Sequence, residues 1–239
     1  MMKKVLITGG SRGIGRACVE YFSKLGYAVA FIYRSNDSAA EEVARVSGAF
    51  SVRVDISRPE EAADAVRNAV EYLGGLDVLV NNAGISQIKL FGDITDGDWE
   101  RMISANLSGA FYVSREALKT MISRHSGRII NIGSMWGKTG AACEVHYSAS
   151  KAGLRGMTMA LAKEVGPSGI TVNCIEPGVV ATDMNSALDE EELSALRDET
   201  PLGRIAEPLE IAYLAEFLAS DKAGFITGQI IGIDGGYAV

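Results

Sequence analysis

Positive charge is in short supply: 23 Lys and Arg stand against 30 Asp and Glu, a net charge of -7 over 239 residues. General nucleic-acid binders and proteins that bind anionic membranes need basic surface, so both classes are excluded and any anion site has to be local. Histidine is scarcer still, with two. The three cysteines, Cys18, Cys143 and Cys174, are odd in number and far apart. They make no zinc or redox spacing, so no metal is expected, and a reduced, cytoplasmic setting fits. No apolar run approaches the length of a membrane span, and only Val5, Leu6 and Ile7 separate Lys4 from Thr8, which reads as no signal peptide. No repeat, low-complexity segment or linker rich in Pro, Gly or Ser is visible, so residues 1–239 are expected to form a single domain. Hydrophobic residues at 47% and charged residues at 22% suit a soluble globular protein with a large core.

What is present is an alternation. Short runs rich in β-branched residues predict strands at Lys4 to Thr8, Tyr27 to Tyr33, Phe50 to Val54, Asp77 to Val80, Arg128 to Gly133, Thr171 to Ile175 and Gln229 to Ile233. Helical patterns lie between them at Gly15 to Leu25, Ser38 to Val46, Pro59 to Leu73, Trp99 to Arg124, Tyr147 to Val165 and Pro208 to Ala219. Repeated βα units with right-handed crossovers predict a doubly wound α/β fold, a mostly parallel seven-stranded sheet with helices on both faces. One long irregular stretch, Glu176 to about Pro208, carries acidic residues from Asp189 to Glu192. It is either a functional lid, over about residues 183–200, or a surface insertion.

Chemistry concentrates at two places. Thr8, Gly9, Gly10, Ser11, Arg12, Gly13, Ile14 and Gly15 run from the first strand into a helix. Glycines at 9, 13 and 15 serve a tight turn and a close approach of backbone to a pyrophosphate at a helix N-terminus, although a bare βα turn would also use them. The second strand ends Tyr33, Arg34, Ser35, Asn36, with no acid at its end for ribose hydroxyls. Arg34 and Arg12 would clamp a 2'-phosphate, which favours NADP(H); the alternative is two solvated arginines, and Asp37 stands close by. Farther on, Tyr147 and Lys151 are spaced to share one helix face. A phenol with a pKa of about 10 needs help to move protons at neutral pH, and an adjacent ammonium is expected to favour the phenolate.

Together with Asp55, Asn81 to Gly84, Asn106, Ser134, Pro177, Gly178, Thr182 and the ending Ile226 to Gly236, these residues resemble the short-chain dehydrogenases/reductases along essentially the whole chain. The resemblance implies a doubly wound sheet of order 3-2-1-4-5-6-7. Tyr147 would be the proton donor or acceptor, Ser134 the group that orients the carbonyl oxygen, and Lys151 the holder of the ribose hydroxyls. Asn106 would position a water that links Lys151 to solvent. It further implies cofactor contacts at Gly9, Ser11, Arg12, Gly13, Ile14, Gly15, Arg34, Ser35, Asp55, Ile56, Asn82, Ala83, Gly84, Tyr147, Lys151, Pro177, Gly178, Val180 and Thr182. A homotetramer is implied as well, with the helices at Leu107 to Arg124 and Tyr147 to Val165 and the ending Ile226 to Val239 as its surfaces.

Within that family the chain is most similar to 3-oxoacyl-[acyl-carrier-protein] reductases, through Arg12, Arg34 and Pro201 to Arg204. An acidic acyl carrier would then need basic docking surface, for which Arg124, His125 and Arg128 are candidates. One departure stands out. Where such reductases usually carry glutamine, three residues before the tyrosine, this chain has Glu144. The run Gly140 to Tyr147, with Ser134 to Gly137 before it, also resembles bacterial paralogues that reduce a 5-aminopentanone group on a lysine of elongation factor P. There Ser134, Trp136, Glu144 and Tyr147 would face an amine-bearing ketone. Glu144 otherwise caps the following helix, pairs with a nearby cation or points into solvent. A third possibility is a non-enzymatic NADP(H)-binding sensor or scaffold, since fold alone does not establish activity.

Overall fold

The computed structural model describes residues 2–183 and 189–238. Its strands are β1 (Lys4–Thr8), β2 (Ala28–Tyr33), β3 (Phe50–Arg53), β4 (Val78–Asn81), β5 (Gly127–Ile132), β6 (Ile170–Pro177) and β7 (Ile230–Ile233). They form one sheet of order β3-β2-β1-β4-β5-β6-β7. Every neighbouring pair is parallel, as the sequence predicts.

Alternation along the strands builds two separate apolar layers. Val5, Ile7, Val29, Phe31, Val78 and Val80 point to one face, where α1 (Gly13–Lys24), α2 (Asp37–Ser47) and α9 (Pro208–Ala219) cover them. Leu6, Ala30, Ile32 and Leu79 point to the other, under α3 (Pro59–Leu73), α5 (Gly109–Ser123) and α7 (Val145–Val165). Because β1 lies between β2 and β4, the chain winds outward from β1 in both directions. That reversal opens a crevice at the carboxyl ends of β1 and β4, the place such sheets offer to ligands.

Two segments differ from the sequence reading. The helix expected from Trp99 is α4 (Asp96–Ile103), started by Thr95 and Asp98 in a capping box, and it joins α5 through a π turn at Ser104–Ser108. The stretch after Glu176 is not irregular throughout. β6 continues to Pro177, and α8 (Glu190–Glu199) follows. The acidic run expected there as loop is the cap of α8: Asp189 Oδ1 accepts from Glu192 N at 2.9 Å and Glu192 Oε2 from Asp189 N at 3.0 Å. Residues 184–188 of the expected lid lie outside the described residues. A short helix, α6 (Trp136–Thr139), has no counterpart among the expected elements.

Candidate active site

The glycine turn after β1 is a cradle whose shape depends on missing side chains. A Cβ on Gly15 would lie 2.1 Å from the Gly9 carbonyl oxygen, and one on Gly9 would lie 2.9 Å from Ala83 Cα. Gly9 and Gly13 have φ of +69° and +53°, a region that favours glycine. The loop after β4 locks this turn from the other side. Thr8 Oγ1 accepts from the N–H groups of Asn82 and Ala83, both at 3.0 Å, while Asn82 Nδ2 donates to the carbonyls of Thr8 at 3.0 Å and Gly9 at 3.2 Å. Asn82 thus uses its amide on the turn itself.

The turn borders a cavity of about 340 Å³. Of the expected cofactor residues, Gly9, Ser11, Arg12, Gly13, Ile14, Arg34, Ser35, Asp55, Ile56, Asn82, Ala83, Gly84 and Thr182 line it. Gly15, Tyr147, Lys151, Pro177, Gly178 and Val180 do not. Pro177 ends β6, Gly178 packs so closely on Asp234 that a Cβ would lie 2.8 Å from its Cα, and Val180 is buried in a bridge to Ala206. Ile32, Tyr33, Asn36, Val54, Ile85, Ser86, Ala105 and Asp183 line the cavity in addition to the expected set. Most are strand-end or loop neighbours of the glycines, and only the sheet order brings them to one wall.

At the far end of β2, Arg34 is exposed and its guanidinium lies 4.0 Å from the Asp55 carboxylate. Burial pushes Asp55 up, but hydrogen bonds from Ser57 and the charges of Arg34 and Arg58 together hold the carboxyl below its usual value. Arg12 is exposed, with no ion pair among the described residues. Asp37 is already engaged: its carboxylate accepts from Arg53 at 2.9 Å and from the Tyr33 hydroxyl at 3.0 Å.

Ser134 follows β5, while Tyr147 and Lys151 lie in the first two turns of α7; all three are buried. Lys151 Nζ donates to the Ile132 carbonyl at 2.8 Å and sits 5.7 Å from the centroid of the Tyr147 ring. The expectation that Lys151 lowers the tyrosine is not met. Burial pushes the phenol up to about 12, against a downward pull from the Ser134 hydroxyl and with a further push from Glu144. The ammonium faces a ring and a carbonyl, and burial lowers it to about 8. Asn106 lies in the π turn, 1% exposed, and clamps the backbone of one residue on both sides. Its Oδ1 accepts from Ile85 N at 2.8 Å, and its Nδ2 donates to Ile85 O at 2.9 Å and Ser150 Oγ at 3.1 Å. A π turn in a long helix is often found at functional sites.

The substrate-side residues take specific places. Trp136 packs edge-on against Tyr237 at 5.4 Å, and its backbone N–H donates to Ser134 Oγ at 3.2 Å. Glu144 precedes α7 but makes no side-chain cap. It has no ion pair or side-chain hydrogen bond among the described residues, and burial raises its carboxyl. Arg124, His125 and Arg128 do not border this cleft within the chain. They sit at the amino end of β5, the edge opposite Ser134, where Arg124 pairs with Asp77 at 2.9 Å and lines a separate hollow with Arg128. Among the described residues no His, Cys, Asp and Glu cluster could hold a metal ion, and no helix is long and apolar enough to cross a membrane.

Residues 9–238 match the family profile described as Enoyl-(Acyl carrier protein) reductase. The chain is 41% identical to the 3-oxoacyl-[acyl-carrier-protein] reductase FabG of Aquifex aeolicus, covering 98% of this chain and 96% of that one. It is 42% identical to the acetoacetyl-CoA reductase of Shinella zoogloeoides, covering 99% and 98%. A solved structure of a Serratia marcescens short-chain dehydrogenase/reductase mutant superposes with a TM-score of 0.92 at 36% identity, covering 99% and 98% of the two chains. With a family profile over residues 9–238, relatives of 41% and 42% identity along nearly their whole length and a matching fold in a 36% identical structure, the chain belongs to the short-chain dehydrogenase/reductase family.

Proposed function

We propose that the protein is an NADP(H)-dependent reductase of a ketone, with a 3-oxoacyl thioester as the substrate class. The observation that carries the reading is the burial of Ser134, Tyr147 and Lys151 together beyond the carboxyl ends of the strands, in a fold whose glycine turn borders an open cavity. A bound nicotinamide would supply or take the hydride. The chain's own residues do the rest. Tyr147 gives a proton to the carbonyl oxygen, and burial, by holding the phenol neutral, suits it to the reductive direction. Ser134 donates to the same oxygen, and Lys151 offers donors to ribose hydroxyls.

NADP(H) rather than NAD(H) is supported by Arg34 and Arg12 on the cavity wall and by Asp37, whose carboxylate is occupied by Arg53 and Tyr33 and does not reach the cavity. The thioester class is supported by the two ketoacyl-thioester reductases named above. A homotetramer is supported by exposed Phe111, Ile122 and Met159 on α5 and α7 and Phe217 on α9, which a lone chain leaves in water.

A second reading rests on Glu144. Among the described residues its carboxylate neither caps α7 nor meets a cation, so an amine on the substrate would be its partner, as in the 5-aminopentanone group on elongation factor P. The test is NADPH oxidation with acetoacetyl-CoA and, in parallel, with an amino-ketone on a lysine side chain. Turnover of the thioester supports the first reading and turnover confined to the amino-ketone the second. Tight NADPH binding with no turnover of any ketone would leave a sensor or scaffold.

A further inference from the structure

His146, directly before Tyr147, is fully buried. Its surroundings determine which of its nitrogens carries hydrogen. Asp98 is a carboxylate and can only accept, so the Gln87 side chain must turn its NH2 toward it, and the contact is 3.2 Å. Arg101 can only donate, and its Nη2 lies 3.3 Å from Gln87 Oε1. Gln87 therefore presents its oxygen to His146 Nε2, 3.0 Å away, and that nitrogen must be the one that bears hydrogen. Among the described residues His146 Nδ1 is buried without a partner, so a second proton there would have no acceptor among them. Burial correspondingly holds the imidazole below its usual range, with Asp98 opposing and Arg101 and Lys89 assisting.

We propose that His146, as its neutral Nε2–H tautomer, is a positioning residue that pins the loop after β4 to the first turn of the Tyr147 helix. A second bond runs beside it, from Lys89 N to the Cys143 carbonyl at 2.7 Å. The loop is anchored behind by Asp98, which holds Lys89 at 2.7 Å and Arg101 at 2.8 Å. Cys143 has φ of +61°, a left-handed backbone that a non-glycine residue keeps only where its surroundings impose it. The clamp thus fixes one wall of the cleft, from Ile85 to Lys89, against the helix that carries the proton donor.

The proposal rests on the ketone-reductase reading for its kinetic arm but not for its spectroscopic one. With NADPH and acetoacetyl-CoA, His146→Leu is expected to lose at least tenfold in kcat with the KM for NADPH within twofold. His146→Gln, which keeps a donor at the same reach, should restore kcat to within threefold of the parent. Gln87→Met should match His146→Leu, and the double variant should lose no more than either. An unaltered kcat in His146→Leu, or His146→Gln as damaged as His146→Leu, would overturn it. With only His125 and His146 in the chain, nitrogen NMR of the parent protein, assigned with His125→Gln, reads the tautomer without any substrate. Neutral Nε2–H at pH 7 is the expected state; an Nδ1–H tautomer or an imidazolium overturns the clamp even if a variant fails to fold or no ketone is turned over.

Discussion

The end of the cleft proposed for the cofactor is shaped by glycines and by side chains that bond to the backbone, whereas the end proposed for the substrate is shaped by side chains that bond to one another across loops. At the first, Gly9, Gly13 and Gly15 make room, and the Thr8 hydroxyl and the Asn82 amide lock the turn by bonding to backbone groups. At the second, Gln87, Asp98, His146 and Glu144 set the wall by charge and hydrogen bonding. Backbone shape tolerates few substitutions and serves one ligand class. Side-chain walls can be exchanged one residue at a time, which is where a shared fold acquires different substrates.

The largest effect is expected where the two ends meet. Tyr147→Phe removes the proposed proton donor without opening space, so kcat should fall by roughly 10² to 10⁴, while titration calorimetry should find NADPH affinity within twofold of the parent. Retained turnover would take the proton from another group and dissolve the contrast. Gly15→Ala comes next and strikes only the cofactor end. With its Cβ 2.1 Å from the Gly9 carbonyl, the turn must move, and NADPH binding should weaken at least tenfold. Unchanged affinity would show that the cradle is not where the pyrophosphate lies.

Lys151 separates stability from activity. Burial lowers its ammonium from 10.5 to about 8, so the folded protein binds this proton less tightly than the unfolded chain does. A displacement of that size costs roughly 3 kcal/mol at neutral pH, and the cost is relieved as pH rises from about 8 toward 10.5. Reduction should therefore decline as pH rises through about 8, where the charged form is lost, even though Tyr147 remains protonated. Lys151→Met should abolish turnover yet melt no lower than the parent; a fall of several degrees would show that the Ile132 hydrogen bond outweighs desolvation. Arg34→Asp is a smaller, selective change, expected to shift the NADPH to NADH preference at least tenfold toward NADH. A constant ratio would move the 2'-phosphate elsewhere.

The same division separates what is legible in the amino-acid sequence from what is not. β-branched runs separated by helical patterns carry the alternation of the sheet, and glycines at fixed offsets carry the cradle, because both are local consequences of backbone geometry. The family resemblance supplies Asn106 and Ser134, but the tasks of Asn106 and Asn82 emerge only from their partners, Ile85 and the Gly9 turn. Burial reverses the expected effect on Tyr147, since spacing along a helix shows that Lys151 is near, not that its ammonium is spent on Ile132. The Gln87–His146 bond joins residues 59 apart and leaves no trace in either neighbourhood. The one signal is an unexplained histidine next to the catalytic-type tyrosine. α8 is legible in principle, as the capping box of Asp189 and Glu192.

Glu144→Gln is expected to do least to the thioester reaction and most to the question of substrate. The carboxylate pushes the Tyr147 phenol upward, so neutralising it should ease proton transfer slightly, changing kcat on acetoacetyl-CoA by less than about threefold, as a single charge screened by a polar cleft warrants. The substitution also removes a half-buried acid whose own carboxyl is raised by burial and which nothing among the described residues neutralises. The native state binds that proton more tightly than the unfolded chain does, so Glu144 costs stability above its raised value and the glutamine variant should melt slightly higher at pH 7. A positive group on the substrate would offset that cost. If kcat/KM for an amine-bearing ketone falls tenfold or more in Glu144→Gln while the thioester is indifferent, the substrate end recognises charge and the second reading gains over the first. If both substrates are indifferent, the carboxylate faces neither, and the specificity of this wall passes to Trp136 and the loop that His146 holds.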